Sequence, residues 1–157
     1  MIKSSNIIRV LIVDDSPFIR KVLHDIFDSD PEIKVVGVAK NGREALDIAA
    51  LVKPDVITLD IEMPVMNGLD CLKHLLKQGE YAVIMISAVT TEGAKATIEA
   101  LNIGAVDFIT KPSNIFQIST EEKRKELIQK VKIAKESGLI NLSKKADIKK
   151  KQFIGTK

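Results

Sequence analysis

The sequence predicts an α/β fold, in which a doubly wound sheet of five parallel strands carries helices on both faces. Short apolar runs alternate five times with segments of helical periodicity across residues 7–137. The runs are apolar on both faces, which is typical of parallel strands covered by helices on each side. A regular alternation of strands and helices favours a parallel sheet over separate layers of strands and helices.

The first strand and helix carry the clearest signals. Residues 7–13 are apolar apart from Arg9, and the run stops at Asp14-Asp15. Ser16 offers a capping hydroxyl, and Pro17 suits the first helical position. The apolar stripe of this helix has the spacing of one helical face and consists of Phe18, Ile19, Val22, Leu23, Ile26 and Phe27.

The next two units repeat this pattern. Residues 34–39 form the second predicted strand, and an Asn-Gly pair then opens a helix. The third strand, residues 56–59, ends at Asp60, and a leucine-rich helix follows over residues 68–76. The fourth strand, residues 82–86, ends at Ser87.

The last units close the predicted domain. A helix over residues 93–101 precedes a short fifth strand at residues 106–109. Ser119 and Glu122 stand at capping-box spacing and predict the start of a final helix, for which Gly138 is a natural stop. The domain is therefore expected to span residues 7–137, with a basic linker or tail at 138–157.

Composition excludes several classes of protein. The chain has 157 residues, of which 45% are hydrophobic and 29% charged, so it is not disordered as a whole. One cysteine excludes an internal disulfide framework, and no apolar run approaches the roughly 20 residues that span a bilayer. A cytoplasmic domain without membrane insertion is expected, since the chain starts without a signal-peptide core.

Charge is unevenly distributed along the chain. Residues 1–119 carry 12 basic and 16 acidic groups, whereas residues 120–157 carry 12 basic and 5 acidic groups. The overall net charge of +3 therefore combines an acidic body with a basic end. Nucleic-acid binding by the basic end is disfavoured because the lysines are not interleaved with aromatic residues.

Polar side chains are predicted to converge at one edge of the sheet. In a doubly wound sheet, ligands bind beyond the carboxyl ends of the strands. The first strand ends in Asp14 and Asp15, the third in Asp60 and the fourth in Ser87, and Lys111 follows the fifth. Three clustered carboxylates repel one another unless a cation joins them, and a site with few oxygen ligands suits Mg²⁺. The lysine and the hydroxyl would complement a phosphoryl group.

Asp60 is the candidate acceptor of that phosphoryl group. Nucleotide binding is disfavoured, because the sequence has neither a G-x-x-x-x-G-K-[ST] loop nor a G-x-G-x-x-G motif after the first strand. A carboxylate can instead take the phosphoryl group itself as an acyl phosphate. Asp60 ends the central strand beside the acidic pair, and the tight turn at Asn67-Gly68 would hold its loop in place.

These residues resemble a known family in both type and spacing. The acidic pair, acceptor, hydroxyl and lysine of two-component response-regulator receiver domains are similar to Asp14-Asp15, Asp60, Ser87-Ala88 and Lys111-Pro112. The resemblance implies a flavodoxin-like receiver fold. It also implies that Asp60 takes a phosphoryl group from a histidine kinase.

The resemblance further implies a role for each site residue. Mg²⁺ would be held by Asp15, Asp60 and the main-chain carbonyl of Glu62, with Asp14 assisting through water. Lys111 would pair with the phosphoryl oxygens.

Two residues would act as the switch of such a domain. Ser87 would close on the phosphoryl oxygens. Phe108 falls at the family's aromatic switch position, where a phenylalanine works by packing because it has no phenolic hydroxyl.

A narrower resemblance concerns chemotaxis protein-glutamate methylesterase regulators of the CheB type. It is carried by residues 60–70 (DIEMPVMNGLD), 85–90 (MISAVT) and 100–112, which contain GAVDFITKP. The resemblance implies a chemotaxis histidine kinase as phosphodonor and a C-terminal methylesterase domain as output. No G-x-S-x-G nucleophile motif occurs in this sequence, so the esterase domain is absent from the chain and its activity cannot be carried over.

Three alternatives stay open at this point. The chain could be a stand-alone receiver, or the receiver of a transcriptional regulator. A phosphatase of the haloacid-dehalogenase type also uses an aspartyl phosphate and Mg²⁺. Such an enzyme requires a D-x-D-x-T motif after the first strand. Here the candidate acceptor follows the third strand, in the segment Asp60-Ile61-Glu62.

Overall fold

The computed structural model of the chain describes residues 6–112 and 114–136, which contain a five-stranded sheet. All strand pairs are parallel, and the strand order is β2-β1-β3-β4-β5. The strands are β1 (Ile8–Val13), β2 (Ile33–Ala39), β3 (Val56–Asp60), β4 (Ala82–Ser87) and β5 (Asp107–Thr110). This order confirms the doubly wound, flavodoxin-like fold predicted from the sequence.

Helices connect the strands and cover both faces of the sheet. They are α1 (Pro17–Asp28), α2 (Gly42–Val52), α3 (Gly68–Gln78), α4 (Thr91–Ile103), a 3₁₀ helix (Ile115–Ser119) and α5, described for residues 121–136. No helix among the described residues is long and apolar enough to cross a membrane.

Two separate cores explain why the strands are apolar on both sides. On one face, alternate residues of β1 such as Val10 and Ile12 pack with apolar residues of α1 and α5. On the other face, Leu11 and Val13 pack with residues of α2, α3 and α4. Because β-strand side chains alternate between faces, Asp14 continues the α1–α5 face, and so does Asp60 at the end of β3.

Side-chain caps fix where four helices begin. Ser16 accepts a hydrogen bond from the main-chain N–H of Ile19, as the sequence predicted for the start of α1. Asn41, Asn67 and Thr90 cap α2, α3 and α4 in the same way. Each cap follows a strand end closely, so the helix starts gather at the carboxyl edge of the sheet.

The predicted cap of the last helix is wrong. Ser119 is the final residue of the 3₁₀ helix, and its hydroxyl donates to the carbonyl of Phe116. Thr120 caps α5 instead, because its Oγ1 accepts from the N–H of Lys123 at 3.3 Å. The proposed stop at Gly138 and the predicted linker at 138–157 lie outside the described residues.

The apolar stripe of α1 is narrower than predicted. Ile19, Leu23, Ile26 and Phe27 are buried, whereas Phe18 is 42% exposed. Phe18 lies at the flank of the stripe, where it packs edge-on against Phe116 at a ring-centroid distance of 5.5 Å and does not enter the core.

Candidate functional site

The end of β1 holds one buried and one exposed carboxylate. Asp14 is fully buried, and its Oδ1 accepts a hydrogen bond of 2.9 Å from the N–H of Ser16. The main-chain carbonyl of Asp14 accepts from Arg20 at 2.8 Å, so the first turns of α1 fix this corner. Asp15 is exposed. The pair thus places one carboxylate in the interior at the carboxyl end of β1 and the other on the surface beside it.

Asp60 ends β3 and is only 3% exposed. Its Oδ1 accepts a hydrogen bond of 3.2 Å from the N–H of Glu62. The loop that follows folds back on this strand end, since the N–H of Gly68 donates to the carbonyl of Ile61 at 2.8 Å. A Cβ at position 68 would lie 2.4 Å from the carbonyl oxygen of Asp60, so only glycine permits this approach.

Lys111 joins the two buried carboxylates. Its Nζ lies 3.3 Å from Oδ2 of Asp14 and 3.2 Å from Oδ2 of Asp60. The contact with Asp14 is an ion pair without hydrogen-bond geometry, so this buried Oδ2 accepts no hydrogen bond within the described residues. The N–H of Lys111 donates to the carbonyl of Ser87 at 2.8 Å, which ties β4 to the residue after β5.

Burial dominates the electrostatics of this cluster. Desolvation, reinforced by the neighbouring charge of Asp14, raises the pKa of Asp60 to about 7 despite the opposing effect of Lys111. Desolvation likewise raises the pKa of Asp14. For Lys111, burial alone would lower the pKa, but the two carboxylates outweigh it and raise the pKa above its ordinary value. One ammonium therefore does not fully compensate the carboxylates.

The donor set suits a divalent cation. Asp14, Asp15 and Asp60 each offer a carboxylate oxygen, and these three atoms lie within 4.8 Å of one another. Hard oxygen donors in small number, open to solvent on the Asp15 side, are the surroundings that Mg²⁺ prefers. The raised pKa values of Asp14 and Asp60, despite the ion pairs of both with Lys111, indicate a cluster that additional positive charge would stabilise.

Ser87 and Phe108 lie on the neighbouring strands. Ser87 ends β4 and is 4% exposed. Phe108 lies in β5, and the residue is 38% exposed. Phe108 pairs in register with Met85, two residues before Ser87. The aromatic ring predicted to switch is thus directed outward in this structure.

A groove that opens to solvent borders the carboxylate cluster at Asp15. It has a volume of about 580 Å³ and runs between the β3–α3 loop and the start of α4. Asp15, Glu62 and Met63 line one side, and Glu92 and Gly93 line the other. Among the carboxylates of the cluster, Asp15 is the one that lines this groove.

Sequence reasoning missed how two features shape the site. Gly93 approaches the loop after Ser87 so closely that a Cβ would lie 2.4 Å from the carbonyl oxygen of Ala88. Val65 has a φ of 72°, and the N–H of Met66 donates to the carbonyl of Pro64 across it, which forms a tight γ-turn. A β-branched residue gives no sequence signal for positive φ. The glycine at 93 was visible, but its neighbour in space was not.

Comparison with known proteins identifies related chains. Residues 10–122 match the response regulator receiver domain family. Protein-glutamate methylesterase/protein-glutamine glutaminase of Pyrococcus abyssi is 56% identical over 127 residues, which cover 81% of this chain and 34% of that protein. The protein of the same name from Thermotoga maritima is 53% identical over 131 residues, covering 83% and 38%. The chain therefore spans about a third of the length of these curated relatives.

Solved structures are similar in fold as well as in sequence. The response regulator domain of Thermotoga maritima CheB superposes with a TM-score of 0.76 at 53% identity, covering 83% of this chain and 97% of that one. A chain of the CheX-CheY-BeF3-Mg²⁺ complex from Borrelia burgdorferi gives a TM-score of 0.63 at 36% identity, covering 75% and 86%.

Proposed function

Because the chain belongs to the response regulator receiver domain family, we propose that it is a phosphorylation switch in which Asp60 accepts a phosphoryl group in a Mg²⁺-dependent reaction. The resemblance predicted from the sequence, to receivers of the CheB type, is confirmed by the curated relatives and by the CheB receiver structure. One observation carries the proposal. A buried carboxylate at the end of the central strand lies 3.2 Å from a lysine ammonium, beside a second buried carboxylate.

The geometry supports direct transfer to Asp60. A carboxylate oxygen of Asp60 attacks the phosphorus of the donor, the oxygen–phosphorus bond forms, and the bond from phosphorus to the donor nitrogen breaks. The hydrogen bond from the N–H of Glu62 to Oδ1 holds the carboxylate in a fixed orientation. Oδ2 faces Lys111, so the ammonium is ready to stabilise charge on the transferred oxygens.

The metal would be held by Asp15, Asp60 and the main-chain carbonyl of Glu62, with Asp14 assisting. When bound, Mg²⁺ would neutralise charge on the phosphoryl oxygens. The surrounding residues do the rest. Burial keeps water from most of Asp60, Lys111 moves between carboxylate and phosphoryl oxygens, and Ser87 lies at the next strand end to donate its hydroxyl. The beryllofluoride and magnesium named with the Borrelia CheY complex are consistent with this chemistry in the family.

The proposed output is a change of surface at β5. The phosphoryl group carries about 1.5 to 2 negative charges at pH 7 and replaces the single charge of the carboxylate, and Ser87 and Lys111 would move toward its oxygens. Movement of Ser87 leaves room for Phe108, which turns inward from its exposed position. This alters the face made by α4, β5 and α5, where Ile98 and Leu101 are also exposed. Such a signal acts by favouring one conformer over another.

We propose a chemotaxis histidine kinase as the phosphodonor and a methylesterase domain as the partner that this surface controls. The support is that the curated relatives are methylesterases about three times as long as the matched region. The cytoplasmic location expected from the sequence and the basic linker at 138–157 stay predictions. Membership of the receiver family favours the switch over a phosphatase of the haloacid-dehalogenase type.

Labelling by a small phosphodonor tests this proposal. We expect phosphoramidate with Mg²⁺ to give one acid-stable, hydroxylamine-labile phosphoryl group per chain, and chelation of Mg²⁺ to abolish it. Asp60→Asn should remove the label. Asp70→Asn, an exposed aspartate in the first turn of α3, is the matched control and should label normally. Undiminished labelling of Asp60→Asn would falsify the assignment.

A further inference from the structure

Lys130, in the middle of α5, makes an unusual set of contacts with the switch residue. Its Nζ lies 5.0 Å from the centroid of the Phe108 ring, within the range of a cation–π interaction. The same ammonium donates to the main-chain carbonyl of Phe108 at 2.5 Å. One side chain from a neighbouring helix therefore contacts both the ring and the backbone of a single residue in β5.

Two carboxylates hold this ammonium in place. Nζ lies 3.6 Å from Oδ1 of Asp107 and 3.9 Å from Oε2 of Glu126, one turn earlier on α5. Asp107 Oδ1 also accepts the N–H of Phe108 at 2.8 Å. The lysine side chain is 24% exposed, so it is packed along the strand and does not extend into solvent.

The position of β5 explains why such contacts are available. Within residues 6–112 and 114–136, β5 is an edge strand, so no described strand bonds its outer side. At Phe108 the carboxylate of Asp107 takes the N–H and the ammonium of Lys130 takes the carbonyl. Side chains therefore satisfy both main-chain hydrogen-bonding groups of Phe108 at this edge. The backbone bonds would persist if the ring turned, but the ring contact exists only while the ring is outward.

We propose that Lys130 is a positioning residue that holds the Phe108 ring in its outward orientation and so opposes the switched state. The inference rests on the proposed function, since it takes Phe108 as the residue that turns inward. Because the cation–π contact stabilises only one of the two orientations, its loss shifts the population toward the other. Lys130 thereby determines how readily the domain adopts the switched conformation, without taking part in the chemistry at Asp60.

Replacing the ammonium tests the proposal. Lys130→Met keeps an apolar stem but removes the charge, and Lys130→Arg keeps a cation that can stack on the ring. The control is Lys132→Met on the same helix, which loses ion pairs to Asp30 and Glu32 far from Phe108. The probe is beryllofluoride with saturating Mg²⁺, a stable mimic of the phosphoryl group, titrated calorimetrically into each folded variant.

We expect Lys130→Met to bind beryllofluoride about two- to fivefold more tightly than the wild type, the range that a partly exposed cation–π contact supports. Lys130→Arg and Lys132→Met should stay at the wild-type affinity. A merely structural role of Lys130 would lower thermal stability without tightening binding. Equal or weaker binding by Lys130→Met overturns the proposal, whereas failure of the wild type to bind at all overturns the proposed function itself.

A spectroscopic readout reports the ring directly. The chain has no tryptophan, so Phe108→Trp places a single reporter at the switch position. Without ligand, adding Lys130→Met to this variant should shift the emission toward shorter wavelengths, as the indole spends more time buried. Adding Lys132→Met should leave the emission unchanged. An emission spectrum that Lys130→Met does not alter contradicts the role of the lysine in holding the ring.

Discussion

At the scale of single residues, the site is defined by carboxylates that burial makes difficult to ionise. Asp14 and Asp60 are both buried beside one lysine, and the pKa of Asp60 is raised to about 7 by desolvation and by Asp14. Two ionised carboxylates side by side repel each other, and a bound cation relieves that repulsion. The ionised form of Asp60 is therefore energetically unfavourable in this fold until a cation binds beside it.

Asp60→Asn should therefore stabilise the chain when divalent cations are absent. Asp60 binds its proton more tightly in the folded chain than in the unfolded chain, where its pKa is near 3.8. Protons favour the folded state over this interval, so the stability of the wild type falls as the pH rises from about 4 to about 7. We expect Asp60→Asn to flatten this dependence and to raise the free energy of unfolding by about 1–2 kcal/mol at pH 7.5.

Urea denaturation with a chelator present, repeated across the pH range, measures this effect. Asp70→Asn serves as control, because its side chain is exposed and lies outside the cluster. If Asp60→Asn proves less stable than the wild type at pH 7.5, the carboxylate contributes favourably and the stated electrostatic balance is wrong.

At the scale of elements, β3 carries a second polar residue into the core. Thr58 is fully buried on the same face as Asp60, and its Oγ1 has no hydrogen-bond partner among the described residues. A buried hydroxyl without a partner costs free energy that an apolar group of the same shape does not.

Thr58→Val is expected to stabilise the chain by about 1 kcal/mol, because it removes the unpaired hydroxyl and keeps the branched shape. The denaturation midpoint should rise with no change in the slope. Phosphoryl labelling should be unaffected, since the Thr58 hydroxyl makes no hydrogen bond to the carboxylates of the cluster. A fall in stability would show that the hydroxyl is satisfied, for instance by buried water.

The β3–α3 loop depends on Gly68 in a way that a side chain would disrupt. Gly68→Ala would set a Cβ 2.4 Å from the carbonyl oxygen of Asp60 and 2.6 Å from Cα of Ile61, so the backbone of the acceptor must move. We expect a loss of about 1–3 kcal/mol in stability and slower labelling of Asp60.

Gly79→Ala is the matched control for that substitution. Its added Cβ meets the ring of Tyr81, a side chain that can move, and its φ of −165° suits any residue. Stability losses in Gly79→Ala as large as those in Gly68→Ala, or normal labelling of Gly68→Ala, would contradict the special role of the loop glycine.

Element boundaries show where sequence patterns lose resolution. The strands and the caps at Ser16 and Asn41 were predictable because their signals are local. The cap of α5 was not, because Ser119 and Thr120 are adjacent candidates and the choice depends on the 3₁₀ helix that precedes them. The exposure of Phe18 was likewise hidden, since it depends on the distant Phe116.

At the scale of the whole molecule, the parallel sheet explains why so much of the site could be predicted. Parallel strands end at one edge, so residues separated by up to 97 positions in sequence, such as Asp14 and Lys111, converge once the strands are identified. The ion pairs of Lys111 with both Asp14 and Asp60 could not be predicted, because the spacing of residues along the chain does not determine the distances between their side chains. The contact of Lys130 with Phe108 was hidden for the same reason.

The uneven charge of the chain has a structural counterpart in the described residues. The acidic body contains the carboxylate cluster, while lysines of α5 pair with acidic residues at the opposite edge of the sheet. Lys132 bridges Asp30 and Glu32, and Lys135 lies 2.7 Å from Asp55. The lysines of α5 thus attach this helix to the sheet through ion pairs.

The central claim is that Asp60 itself carries the phosphoryl group, and reductive trapping tests it most directly. Borohydride converts an aspartyl phosphate to homoserine, which peptide mass spectrometry then locates in the sequence. After treatment with phosphoramidate and Mg²⁺, the account predicts homoserine at position 60, and none without donor or metal. Homoserine at position 14 or 15, or a phosphate found on Ser87 with position 60 unchanged, would contradict it.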